Sequence, residues 1–332
     1  MKTIVRLPNW IGDGVMATPM ISRLVESTDK SVSVWGRPHT AGLFHGFPRI
    51  DRVIEADEKK DPGILDEVRS QGFDEVFLLT NSYSSAKAAK AAGIPERIGY
   101  RRDWRGPLLT RRVTCGPKVR ALHMVEYYLN LLPGDLRNGT TEPQPKLYCT
   151  EGELKDVRNK LNERFGTDAH QIVGIAPGAA FGSAKQWDPD RFQGVAKESV
   201  ARGWVPVVFG MAVDRPLGDL ILEGAGSAPA WNLAGETTLR ELMAFISECA
   251  VLVTNDSGPM HLADALSTPS VALFGSTDST WTGPRANHHI ILQSEVACSP
   301  CFLKECPLDR QCMTSLTVEH VLAAIEAVFS RT

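Results

Sequence analysis

Hydrophobic positions along the chain fall into short compact runs, alternating with stretches of helical spacing. Residues 3–7 form an apolar run of buried-strand length, and residues 15–25 carry apolar side chains every three or four positions. Further strands are predicted at 31–35, 52–55, 74–79 and 97–100. Helices are predicted at 64–70, 84–92 (Ala-rich, stopped by Gly93) and 121–132. Residues 133–145 are rich in Pro, Gly, Asn and Thr without periodicity and read as a linker. The alternation then restarts. Helices are expected at 151–165, 191–202, 215–223, 239–247 and 260–266, and strands at 172–176, 205–210, 231–234, 250–254 and 270–274. An amphipathic helix follows at 318–329.

Strand–helix alternation argues for an α/β class with parallel sheets covered by helices on both faces. Two doubly wound domains are therefore expected, 1–150 and 151–316, with 317–332 set apart as a helix able to pack back toward the first domain. Ligands of such sheets sit beyond the carboxyl ends of the strands, and two facing sheets would leave a cleft between them.

With 332 residues the chain has room for two domains of ordinary size. A hydrophobic fraction of 43% and a charged fraction of 23% are normal for a soluble globular protein. A net charge of −3 argues against general nucleic-acid binding. No apolar run approaches the ~20 residues of a membrane span. The strand near the N-terminus leaves no place for a signal peptide, so a cytoplasmic protein is expected, with membrane contact at most peripheral, at the cytoplasmic face of the inner membrane. Seven cysteines, mostly late in the chain, do not make a secreted disulfide framework.

One segment breaks the charge balance. Between Arg97 and Arg120 stand eight Lys or Arg residues and one acid, Asp103, with Trp104 among them. A solvated loop is the plain reading. The density of charge also suits an anionic partner, for which Arg97, Arg101, Arg102, Arg105 and Arg120 are the candidates. Aromatics are too few for base stacking.

Three loops carry candidate chemistry. Strand 250–254 runs through Asn255-Asp256-Ser257-Gly258 into a helix, with Pro259 suited to its first turn and Ser257 to its N-cap. Such a turn aims backbone N–H groups at a crevice and suits a pyrophosphate. Asp256 could accept hydrogen bonds from a sugar or hold the loop, and His261 is expected to face the same mouth. A loop containing Gly12, Asp13 and Gly14 follows strand 3–7. Asp13 either caps the helix or serves as a general base at the strand's carboxyl end. Ala17 stands where a dinucleotide fingerprint needs glycine, which weakens a dehydrogenase. The third loop, from Ile175 to Trp187, contains Gly178, Gly182 and Lys185. Lys185 is an ordinary surface lysine or the charge that meets a departing diphosphate. Cys298, Cys301, Cys306 and Cys312 invite a zinc reading, but their later spacings are irregular for a zinc ribbon, and no metal is expected.

The segments PNWIGDGVMATPM, APGAAFGSAKQW, TNDSGPMHLADAL, VALFGSTDSTWTGP and CSPCFLKECP occur in that order over nearly the whole chain. Together they resemble the ADP-heptose:lipopolysaccharide heptosyltransferases, most closely the heptosyltransferase II branch. The resemblance implies the GT-B architecture, two facing Rossmann-like domains. It implies inverting transfer of L-glycero-D-manno-heptose from ADP-heptose onto the heptose–Kdo–lipid A inner core, with no metal or other cofactor. It also assigns roles. Asp13 is the base, Lys185 neutralises the diphosphate, and Asp256, Ser257, Gly258 and His261 form the donor-binding turn. Thr237 falls near the adenine pocket. The basic stretch would meet the acceptor's carboxylates and phosphates. Loop 179–184 departs from the Thr-Thr form of heptosyltransferase I, which leaves hydroxyl contacts to the donor in doubt there. Another metal-independent nucleotide-sugar transferase, or a non-catalytic nucleotide-sugar binder, is the alternative.

Overall fold

Parallel strands need long crossovers, and the spacing of apolar runs in this chain supplies them twice. A computed structural model describes residues 1–27, 30–61, 63–138, 142–166 and 171–331. It divides into two units, Met1–Tyr148 and Cys149–Thr332.

The first unit holds β1 (Lys2–Arg6), β2 (Ser31–Gly36), β3 (Ile50–Glu55), β4 (Glu75–Leu78), β5 (Glu96–Tyr100) and β6 (Arg111–Val113). Their order is β3-β2-β1-β4-β5-β6, with every pair parallel. The sequence pattern does not show β6, because Arg111-Arg112-Val113 has one apolar residue. It survives as an edge strand, where a polar face is tolerated. Ile4, Trp35, Val76 and Leu78 are buried in the core that the sheet shares with the flanking helices.

The expected single helix over 15–25 is two helices, Ile11–Met16 and Thr18–Glu26. Pro19 lacks the N–H that would bond the Val15 carbonyl. The Thr18 hydroxyl donates to that carbonyl instead, at 2.7 Å. The same hydroxyl accepts from the Lys146 N–H at 3.0 Å and so pins the chain just past the expected linker. Within that linker, residues Gly134–Arg137 form a helical turn, and 139–141 lie outside the described residues.

The second unit holds β7 (Ile172–Ala176), β8 (Val205–Val208), β9 (Trp231–Asn232), β10 (Val251–Asn255), β11 (Ser270–Phe274) and β12 (Ile290–Gln293). Their order is β12-β11-β10-β7-β8-β9, again all parallel. Each unit thus shows the doubly wound parallel class. The terminal helix, Val318–Phe329, was expected to stand apart. Instead Val321, Leu322, Ile325 and Val328 are buried in the second unit's core with Val195, Val271 and Leu273. Its apolar face finds that sheet, and Phe329 meets Trp204 edge-on at 4.9 Å.

Strand order reverses beside the first strand of each sheet, between β1 and β4 and between β7 and β10. A crossover leaves toward opposite faces at such a point, so the loops part and leave room for a ligand. Among the described residues no helix is long and apolar enough to cross a membrane.

Candidate active site

In the second unit the two loops that part at the reversal are tied by one amide. Asn255, at the end of β10, is fully buried. Its Nδ2 donates to the Pro177 carbonyl at 2.7 Å, and its Oδ1 accepts from the Trp187 N–H at 3.1 Å. Both ends of loop 177–187 are thereby fixed. Between them Lys185 Nζ lies 2.5 Å from Asp256 Oδ2, and the Thr277 hydroxyl, from the loop after β11, donates to the same oxygen at 2.6 Å. The lysine side chain is 13% exposed and the aspartate 4%. Desolvation offsets much of the attraction in so buried a pair, so it contributes little net stability. What it provides is an ammonium in a fixed place.

The helix Gly258–Ala265 begins beside it. Ser257 occupies the N-cap position, yet its side chain caps no helical N–H. The hydroxyl lies 3.3 Å from that of Thr254. Pro259 has no N–H and the Met260 N–H bonds to the Ser257 carbonyl at 3.2 Å, so in the first turn the Gly258 amide keeps its capacity for an anion. His261, one turn into this helix, is 6% exposed. Thr237 is half-buried after β9, immediately before the capping Thr238 of the helix Leu239–Ser247.

Asp214 belongs to this sheet end and sequence reasoning passed it over. Its Oδ2 accepts from the Met211 N–H at 2.8 Å. A Cβ on Gly178 would come within 3.0 Å of that oxygen, and one on Gly210 within 2.8 Å of the Asp214 Cβ. Two glycines thus let a carboxylate nestle between the loops after β7 and β8. The paired glycines were the available signal.

In the first unit Asp13 lies in the opening turn of the helix Ile11–Met16, just past β1. The Tyr128 hydroxyl hydrogen-bonds to it. Burial, then the charge of Asp13, push that phenol well above its ordinary range. Tyr128 is one of a row of buried rings. Tyr127 meets it edge-on at 5.8 Å and stacks on Tyr100 at 4.3 Å. The Tyr100 hydroxyl donates to the Tyr127 carbonyl at 2.5 Å, and Asn81 Nδ2 donates to the Tyr127 hydroxyl at 3.0 Å.

The basic stretch divides by exposure. Arg105 is 0% exposed. Its guanidinium donates to the carbonyls of Tyr100 and Thr80 and to Asn81 Oδ1, and burial lowers its pKa to about 10. Arg97 is likewise engaged, donating to the carbonyls of Leu108, Ile94 and Pro95. Arg102 is half-buried, and its hydrogen bond with Tyr127, the largest influence on it, raises its pKa. Arg101 and Arg120 are exposed. Part of the run read as an acceptor surface is therefore scaffold for the rings behind Asp13. Trp104 is 93% exposed, and it and Asp103 both adopt positive φ, +61° and +51°.

Cys298, Cys301, Cys306 and Cys312 line one cavity of about 20 Å³, and all seven cysteines are free thiols. Among the described residues no group of three or more His, Cys, Asp or Glu side chains is arranged to hold a metal ion.

The sequence model of glycosyltransferase family 9 (heptosyltransferase) matches residues 64–311. Lipopolysaccharide heptosyltransferase 2 of Escherichia coli K12 is 33% identical over 307 residues, 86% of this chain and 85% of that protein. Lipooligosaccharide heptosyltransferase 2 of Campylobacter jejuni serotype O:6 is 27% identical over 338 residues, 98% of each chain. The solved structure of E. coli ADP-heptose lipopolysaccharide heptosyltransferase II superposes with a TM-score of 0.87 at 28% identity, covering 100% of this chain and 99% of that one. A family 9 glycosyl transferase from Veillonella parvula shares the fold, with a TM-score of 0.86 at 21% identity.

Proposed function

The chain belongs to glycosyltransferase family 9, the heptosyltransferases, and from that premise we propose that it moves L-glycero-D-manno-heptose from ADP-heptose onto the heptose–Kdo–lipid A inner core. That it is a glycosyltransferase of lipopolysaccharide heptose transfer, similar to heptosyltransferase II, follows from the family match and the relatives. The donor, the acceptor and the residue roles are the proposal.

The reading is an inverting displacement. A hydroxyl oxygen of the acceptor attacks the donor's anomeric carbon as the bond from that carbon to the diphosphate oxygen breaks. Asp13 takes the hydroxyl proton. The charge that develops on the departing ADP is met by Lys185 and by the Gly258 amide at the positive end of the helix Gly258–Ala265. Asp256 and Thr277 keep that ammonium in place. Thr237 and Asp214 contribute on the donor side, the second by its place between two glycine loops. Arg101, Arg102 and Arg120 offer positive charge to the acceptor's carboxylates and phosphates. Arg97 and Arg105 support the fold around them. No step calls on a metal.

One observation carries this reading: a nearly buried lysine is fixed at the strand reversal of the second sheet, beside the start of the helix Gly258–Ala265. The test is ADP release from ADP-heptose with a heptosylated Kdo–lipid A acceptor. Asp13→Asn should lower kcat by about 10²–10⁴-fold, the usual weight of a general base, with an unchanged melting temperature. Near-full turnover by a folded Asp13→Asn protein would remove the base assignment. Competition by ADP but not UDP separates this donor from those of other nucleotide-sugar transferases.

A further inference from the structure

Lys185 cannot meet a diphosphate alone, because its charge is already matched. Its Nζ sits 2.5 Å from Asp256, so the pair presents little net charge. A departing nucleoside diphosphate carries several negative charges. A second cation is needed, and the segment 299–310 supplies a candidate.

That segment is stitched across the loops that bound the lysine. The N–H groups of Cys301 and Phe302 donate to the Ser276 carbonyl at 3.1 and 2.7 Å. Arg310 donates to the Gln186 carbonyl at 3.0 Å and to Asp188 Oδ1 at 2.6 Å. The Lys304 carbonyl accepts from the Ala184 N–H at 3.0 Å, one residue before Lys185. It passes so close to Gly182 that a Cβ there would fall 2.2 Å from the carbonyl oxygen. Backbone thus brings Lys304 to the Lys185 loop, and its side chain goes the same way. Lys304 Nζ lies 5.9 Å from the centre of the Phe181 ring, and Lys185 Nζ lies 4.9 Å from it. Two ammonium groups approach one ring, at a separation comparable at most to the screening length of about 10 Å, so their fields overlap. Among the described residues no carboxylate lies within ion-pair distance of Lys304, and the side chain is exposed.

We propose that Lys304 is the second phosphate-binding cation of the donor site, paired with Lys185 around the Phe181 ring and contributing the charge that Asp256 cancels. This rests on the reading of Lys185 as the residue that meets the leaving diphosphate. Substituting the side chain leaves the carbonyl stitch intact.

The experiment is calorimetric titration of the full chain with ADP, and with AMP as control, at low and moderate salt. Lys304→Gln should weaken ADP about tenfold, in the range of a lost charge-assisted contact, and flatten its salt dependence. AMP, which lacks the second phosphate, should change far less. Lys304→Arg should stay within about twofold of wild type for ADP, since the charge is kept. Equal ADP affinity in Lys304→Gln and wild type overturns the proposal and leaves the Lys185 reading standing. Equal losses for ADP and AMP also overturn it, because the contact would then not be to the diphosphate. A wild-type chain that binds no ADP overturns both.

Discussion

A proton acceptor is tuned by what donates to it. The Tyr128 hydroxyl donates to Asp13 from a fully buried position, and a hydrogen bond to a carboxylate favours its charged form. If Asp13 is the base, Tyr128 keeps it ionised and aimed. Tyr128→Phe should lower kcat roughly tenfold, the scale of one buried hydrogen bond to a charge, with the donor KM little changed. Asp13 was legible in the sequence because a carboxylate after a strand and before a helix stands out. Tyr128 was not, since a tyrosine at helical spacing reads as core. Arg105 misled for the opposite reason. Its charge suggested a surface, while the backbone carbonyls that let it be buried leave no trace in the sequence.

Helix ends show a device repeated and crossed. The helices Glu151–Phe165 and Leu239–Ser247 each open on a Thr-x-x-Glu capping box. Each box's glutamate also reaches a base on the other helix: Glu153 pairs with Arg240 at 2.6 Å and Glu241 with Lys160 at 2.7 Å. These bonds hold both glutamates down at about 2. Since that lies below the unfolded value near 4.5, the stabilisation is complete above about pH 4.5 and fades as pH falls toward 2. Partial exposure keeps each pair at about 0.2–1 kcal/mol. Glu153→Gln should therefore lower the melting temperature at neutral pH and flatten its fall between pH 4.5 and 2, as followed by circular dichroism. Both helices were visible in the sequence; their capping boxes were not read there. The strands missed, β6 and β12, are edge strands whose alternate positions meet solvent, so they lack the apolar run that marks a central strand.

Two sheets of identical winding, each with its own buried core, set the behaviour of the chain as a whole. The alternation of short apolar runs showed both sheets, because parallel strands buried on two faces have little freedom in composition. The place of the last helix was not visible, since an amphipathic stripe says that a face is needed and not which one. Calorimetry can test both points. Cores of this kind should melt as two cooperative steps, and ADP at 100-fold its Kd should raise one of them by about 2.7 kcal/mol of stability. Ile325→Ala, in the last helix, should lower the ADP-responsive step by about 2–5 kcal/mol. Val76→Ala, in β4, should lower the other step. If Ile325→Ala left the ADP-responsive step untouched, the helix would not belong to the core on which the loops around Lys185 stand, and the rigidity attributed to Lys185 would need another source.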